Sequence, residues 1–280
     1  MSKHKIRLKE HERNRQRPAH PSKQAYARSD KSIDLTEYPL DTDEHGFIKT
    51  GVEVDDSLPS VFCVGGSFVE SSFAMPDRRF VGQVAHKLRS HNVLNTAYSG
   101  TTLLEATAMI LTKIPALAKR GDTIVVFSMQ SDANASRLKG GYWTNNPTYT
   151  AIRPRVESEP TWDASFADTT ALLRSLAAFA HGMGFKLIVA TSPYRYLDWE
   201  KDTWCRLNFG NVRTMRDFRA RRDALTDTYR EFARVTGTPI IDLAAEVDGR
   251  SEYFYDELHF NNRGHDVGAN YVYRRLKEIL

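Results

Sequence analysis

Val61-Phe62-Cys63-Val64-Gly65-Gly66-Ser67 reads as a buried strand that turns sharply at its carboxyl end and leaves a hydroxyl at the sheet edge. The residues before the glycines are apolar β-formers without polar alternation, the pattern of a strand covered on both faces. In α/β folds ligands collect outside the carboxyl ends of the strands, so a serine there is placed to react. Its complement lies near the far end of the chain, in Asp256-Glu257-Leu258-His259. Three residues apart within one turn, the Asp256 carboxylate can reach one imidazole nitrogen of His259. The other nitrogen is then left to take a proton from Ser67. Alone, Gly-Gly-Ser is an ordinary turn and a lone histidine an ordinary structural residue; the two motifs gain meaning from their surroundings.

From residue 61 the pattern alternates strand and helix. Helical periodicity over 79–89 puts Phe80, Val84, Ala85 and Leu88 on one face. Strand-like runs follow at 93–97, 123–128, 186–191 and 239–243. Helices are expected at 101–119 (interrupted at Pro115), 168–181, 214–235 and 264–280. This order predicts a three-layer α/β/α sandwich around a mainly parallel five-stranded sheet. Two stretches break the rhythm, 139–166 and 194–213. They carry Tyr142, Trp143, Trp199 and Trp204, expected to form an aromatic substrate wall or lid.

The amino-terminal residues are of another kind. Residues 1–31 hold ten Lys/Arg and three Asp/Glu, a net +7 within a chain of net +4, which leaves the rest at −3. Almost without apolar residues, 1–32 is expected to be a disordered basic tail, and 33–280 a single α/β domain. The tail has Tyr26 as its one aromatic residue, so stacking on bases and a specific nucleic-acid partner are not expected. Asp41-Thr42-Asp43-Glu44-His45-Gly46 starts like a calcium loop, but its fifth position is His45 and Val52 stands where a bidentate Glu is needed. A turn is expected there, and neither a metal nor a cofactor anywhere. The two cysteines, Cys63 and Cys205, make no disulfide framework. No apolar run is long enough to cross a bilayer, and no hydrophobic stretch follows the amino-terminal charges, so the expected location is cytoplasmic.

With these blocks in order, residues 61–280 resemble the SGNH (GDSL-like) hydrolase family, whose fold is flavodoxin-like. Ser67 stands at the family's nucleophile. Asn95-Thr96-Ala97-Tyr98-Ser99-Gly100-Thr101-Thr102 is similar to the second block, which implies that Gly100 gives a backbone N–H to an oxyanion hole shared with the Ser67 N–H. Met129-Gln130-Ser131-Asp132 sits where Gly-x-Asn-Asp is expected, so Ser131 replaces the side-chain amide donor. Gln130 or Asn134 is an alternative source of that donor. Gly66 replaces an Asp beside the serine. Asp256-Glu257-Leu258-His259 with Asn261-Asn262-Arg263-Gly264 matches the fifth block most specifically. The resemblance implies a serine esterase removing a small O-acyl group, acetyl first, from an acylated small molecule or carbohydrate. An O-acyltransferase using the same triad and a non-catalytic carbohydrate-binding relative are the alternatives.

Overall fold

The computed structural model describes residues 5–6, 8–138, 140–143, 149, 152–153, 166–247 and 249–280. A two-stranded antiparallel ribbon pairs β1 (Lys5–Ile6) with β5 (Ile152–Arg153). The central sheet contains β2 (Ser60–Val64), β3 (Asn92–Asn95), β4 (Thr123–Phe127), β6 (Lys186–Ala190) and β7 (Ile240–Ile241). They lie in the order β3-β2-β4-β6-β7 and every pairing is parallel. Successive residues of these strands feed opposite layers. Val61, Cys63, Val125, Phe127 and Ile188 pack with α3 (Phe80–Lys87), the short α9 (Leu243–Glu246) and α10 (Asn262–Ile279). Phe62, Val64, Ile124, Val126 and Val189 pack with α4 (Leu103–Thr112), α6 (Ala167–Met183) and α8 (Val212–Thr236). Burial on both faces is why the runs are continuously apolar. The chain moves from β2 outward to β3, then crosses back to β4 on the other side. The carboxyl end of β2 is therefore the topological switch point of the sheet.

Local chemistry fixes the helix ends. Thr102 and Glu105 form a capping box at the start of α4. Pro115 ends that helix in a 3-10 turn, Ile114–Ala116, so the expected helix over 101–119 is two pieces. Asn261 caps α10 by accepting the Gly264 N–H at 3.1 Å. The acidic turn at residues 41–46 is closed by its own carboxylate, with Asp43 Oδ1 accepting the N–H groups of His45 (2.8 Å) and Phe47 (2.9 Å). Among the described residues no helix is long and apolar enough to cross a membrane.

Two expectations are corrected. Residues 8–32 are not a solvated tail. They run along the body and include α1 (Lys23–Arg28), capped by Ser22. Ala19 and Tyr38 exchange backbone hydrogen bonds at 2.8 and 2.9 Å, and Asp30 N–H donates to Tyr255 O at 2.6 Å. Lys9 and His11 are buried. The segment has little apolar surface, but the body supplies partners for its polar groups, and that pairing offsets the ordering entropy. The second correction concerns 194–213, which contains α7 (Thr203–Phe209). Asp202 starts this helix by accepting the Trp204 N–H at 2.9 Å, and Gly210 follows its last turn.

Candidate active site

Ser67 is the first residue of α2 (Ser67–Glu70), a single turn that follows β2 directly. The turn is sharp because Gly65 allows it: a Cβ there would lie 2.3 Å from Val69 Cγ2. Gly66 is under no such pressure, since the nearest atom to a Cβ would be Thr101 O at 3.7 Å. The helix ends at Ser71, whose left-handed backbone (φ 55°) turns the chain away after one turn.

The partner loop is a tight excursion between Phe254 and Phe260, which form an antiparallel bridge; Tyr255 N–H also donates to His259 O at 3.0 Å. Asp256 organises it. Its Oδ1 accepts the N–H groups of Leu258 (2.8 Å) and His259 (2.7 Å), and its Oδ2 accepts from His259 Nδ1 at 2.7 Å. A carboxylate can only accept here, so the neutral ring carries its proton on Nδ1. The Nε2 lone pair then faces the Ser67 hydroxyl, which donates to it at 2.8 Å. Phe68 and Phe260 immediately follow Ser67 and His259 in the chain, and their rings meet edge to face at 4.9 Å. This apolar contact sets the spacing of the polar pair beside it. Tyr255 stacks on the imidazole at 5.5 Å.

Burial disfavours the charged form of His259, but the charge and hydrogen bond of Asp256 outweigh it and hold the imidazole above the ordinary histidine value. Burial likewise opposes ionisation of Asp256, and its bonds to His259 and Leu258 hold it below the ordinary carboxylate range. The result is a base, a carboxylate that fixes its tautomer, and a hydroxyl in line.

The loop carrying Gly100 lies against the β2–α2 turn. Tyr98 N–H donates to Gly65 O at 3.1 Å, and Gly100 holds φ +75°, where other residues are strained. Among the described residues no acceptor takes the N–H of Ser67 or Gly100. Ser131 is buried in α5 (Gln130–Ala135). The Gln130 amide donates to Asn134 Oδ1 at 3.1 Å, so its N–H is turned along the helix. Asp132 Oδ1 accepts the Leu103 N–H at 2.8 Å and joins this block to the start of α4; burial pushes its carboxyl up to about 7.

The sequence profile of the GDSL-like lipase/acylhydrolase family matches residues 63–267, a span that contains Ser67, Gly100, Ser131, Asp256 and His259. The chain belongs to this family. It is therefore a member of a family of ester-hydrolysing enzymes. Solved structures share the fold at low identity. A mutant of Axe2, an acetyl-xylooligosaccharide esterase from Geobacillus Stearmophilus, is 16% identical with a TM-score of 0.54, over 78% of this chain and 94% of that one. The M. Smegmatis aryl esterase is 15% identical with a TM-score of 0.53, over 79% and 100%. LAE5, an alpha/beta hydrolase enzyme from the metagenome of Lake Arreo, Spain, is 16% identical with a TM-score of 0.54, over 78% and 95%. No curated protein sequence matches.

The expected aromatic wall of this acylhydrolase is corrected in part. Tyr142 is a core residue, packed beneath α6 with its hydroxyl 2.8 Å from Thr169 Oγ1. Trp204 is also buried; its indole N–H donates to Arg28 O at 2.8 Å, and the Arg195 guanidinium lies 4.7 Å from its ring. Trp199 packs partly buried against the same cluster. Trp204 braces the body against the amino-terminal segment, and Tyr142 and Trp199 pack within the body. Trp143 is exposed. Most of the 139–166 insertion lies outside the described residues, so its expected lid is untouched by these observations.

Glu70, which the sequence reading did not single out, ties the two site segments together. It is buried one turn after Ser67 and accepts the Ser99 N–H (2.6 Å) and hydroxyl (2.7 Å), with Ser72 as a further donor. Burial would raise this carboxyl, but those donors and His11 hold it below the ordinary range. The one visible signal was a charged side chain in an otherwise apolar turn three residues past Ser67.

Proposed function

We propose that this acylhydrolase removes a small O-acyl group, acetyl first, from a hydroxyl-rich substrate of carbohydrate type, through a covalent intermediate on Ser67. The observation that carries the reading is the hydrogen-bonded line Ser67 Oγ–His259 Nε2 (2.8 Å) and His259 Nδ1–Asp256 Oδ2 (2.7 Å). In the reaction, Ser67 Oγ bonds to the ester carbonyl carbon as its proton passes to His259 Nε2. The oxyanion of the tetrahedral intermediate meets the Ser67 and Gly100 N–H groups. Collapse breaks the ester C–O bond, and the departing alcohol takes the proton from His259. Water then repeats the sequence on the acyl-serine and releases the acid.

The acetyl and carbohydrate parts of the reading are supported by a shared fold with an acetyl-xylooligosaccharide esterase. The expected result is a kcat/KM for p-nitrophenyl acetate at least about tenfold above that for the octanoate, together with acetate release from acetylated xylooligosaccharide. A preference for the long chain with no acetate released would contradict the substrate class. Adding a polyol acceptor separates hydrolysis from transfer: acetate is the expected product, and acetylated polyol as the main product would make the enzyme a transferase. Sugar binding without turnover of any ester would make it a binding protein.

A further inference from the structure

The amino-terminal segment reaches the site itself. Lys9 Nζ donates to Gly100 O at 2.7 Å and pairs with Glu105 Oε2 at 3.1 Å, with both side chains at or below 5% exposure. The same Glu105 oxygen accepts the Thr102 N–H at 2.9 Å. One ammonium thus holds both the carbonyl of Gly100 and the helix cap that follows it. Two residues on, the His11 ring packs on Tyr98 with centroids 4.7 Å apart, and its Nε2 lies 3.2 Å from Glu70 Oε2. Arg15 donates to His11 Nδ1 at 3.2 Å, and an arginine has no acceptor, so the His11 proton sits on Nε2, the ring nitrogen beside Glu70. Residues at i and i+2 of an extended stretch share a side, which lets Lys9 and His11 grip the 98–102 loop together. The stretch is anchored in turn, with Asn14 N–H on Asp43 O at 2.7 Å and Arg15 N–H on Thr42 Oγ1 at 2.9 Å.

We propose that Lys9 and His11 are positioning residues of the oxyanion loop, so that the amino-terminal segment is an integral part of the active site. The inference rests on the esterase reading of Ser67 for its catalytic consequence, and on geometry alone for its structural one. A loop that donates an N–H to a developing charge acts only while it is held in place, and a left-handed glycine has many other conformations open to it. Residue 9 restrains that glycine from a position 91 residues away in the chain.

The test uses the full chain carrying Lys9→Met, which keeps side-chain length without the ammonium, and Lys9→Arg, which restores a donor. Lys23→Met, at an exposed position of α1, controls for lost charge. In Lys9→Met, amide exchange of residues 98–102 is expected to accelerate about tenfold or more, with the sheet amides unchanged, and Lys9→Arg to recover most of the protection. On p-nitrophenyl acetate the same variant is expected to lose about ten- to a hundredfold in kcat with KM within about twofold. Removing one partner of a buried pair can prevent folding. His11→Phe, which keeps a ring on Tyr98 and drops the link to Glu70, is therefore the second variant, with the same expectations. Parental exchange at 98–102 in the folded variants overturns the proposal. So does accelerated exchange with parental kcat, which would reduce the segment to a brace. Exchange is read without substrate, so an inert parent enzyme would count against the esterase reading while the exchange still decides this one.

Discussion

Ser67→Ala is expected to lower kcat on p-nitrophenyl acetate by about 10⁶-fold, with the fold intact. The hydroxyl contributes one hydrogen bond, to His259, and neither the β2–α2 turn nor the Phe68–Phe260 contact depends on it. Stability should therefore move by no more than about 0.5–1 kcal/mol. What remains after the change is binding and the two backbone N–H groups, enough for slow attack by water. Steady-state kinetics with a thermal melt checks both halves. Activity within tenfold of the parent would mean that the acyl group is carried elsewhere.

Asp256→Asn is expected to cost about 10⁴-fold in kcat, for a reason specific to this loop. Oδ1 of the parent is committed to the Leu258 and His259 N–H groups, and an amide oxygen can replace it there. The amide nitrogen then faces His259 Nδ1 and donates to it. That forces the ring proton onto Nε2, where it points at Ser67 and cannot receive a proton. The pH profile adds an independent readout. His259 must be neutral to act as base, and in the parent its value is raised above the ordinary 6.5, so kcat/KM should climb as pH rises through a midpoint above 6.5. Asp256→Asn removes the charge that raises the imidazole and leaves the burial that lowers it. The acid limb should move to lower pH while the plateau falls. A plateau within tenfold of the parent, or an unmoved limb, would separate Asp256 from the chemistry.

The sheet was legible because it is covered on both sides. Phe62 and Val64 enter one layer while Val61 and Cys63 enter the other, so hydrophobic runs marked each strand. The hydrogen-bonded line of Ser67, His259 and Asp256 was legible because Asp256 and His259 interact over three residues and Ser67 follows Gly65, which permits the turn. What escaped the reading depends on partners far apart in sequence. Nothing local in a stretch as polar as residues 8–15 announces that Glu105 and Glu70 will receive Lys9 and His11. Composition also does not say which way an aromatic residue points. Tyr142 and Trp204 read as irregular chain, as binding residues do, yet each lies in a short helical turn, and Thr169 and the Arg28 carbonyl satisfy their polar ends inside the protein. The short helices α5 and α7 escaped for a related reason, since six or seven residues are too few for a periodicity to show.

In the proposed reaction one alcohol, aligned by one imidazole, takes the acyl group. Treatment with a phenylmethyl sulfonyl fluoride or an alkyl phosphonate, followed by peptide mass mapping, tests it most directly. A single adduct on Ser67 is expected, formed in parallel with loss of esterase activity. An adduct on another residue, or an unlabelled and still active chain, would contradict it.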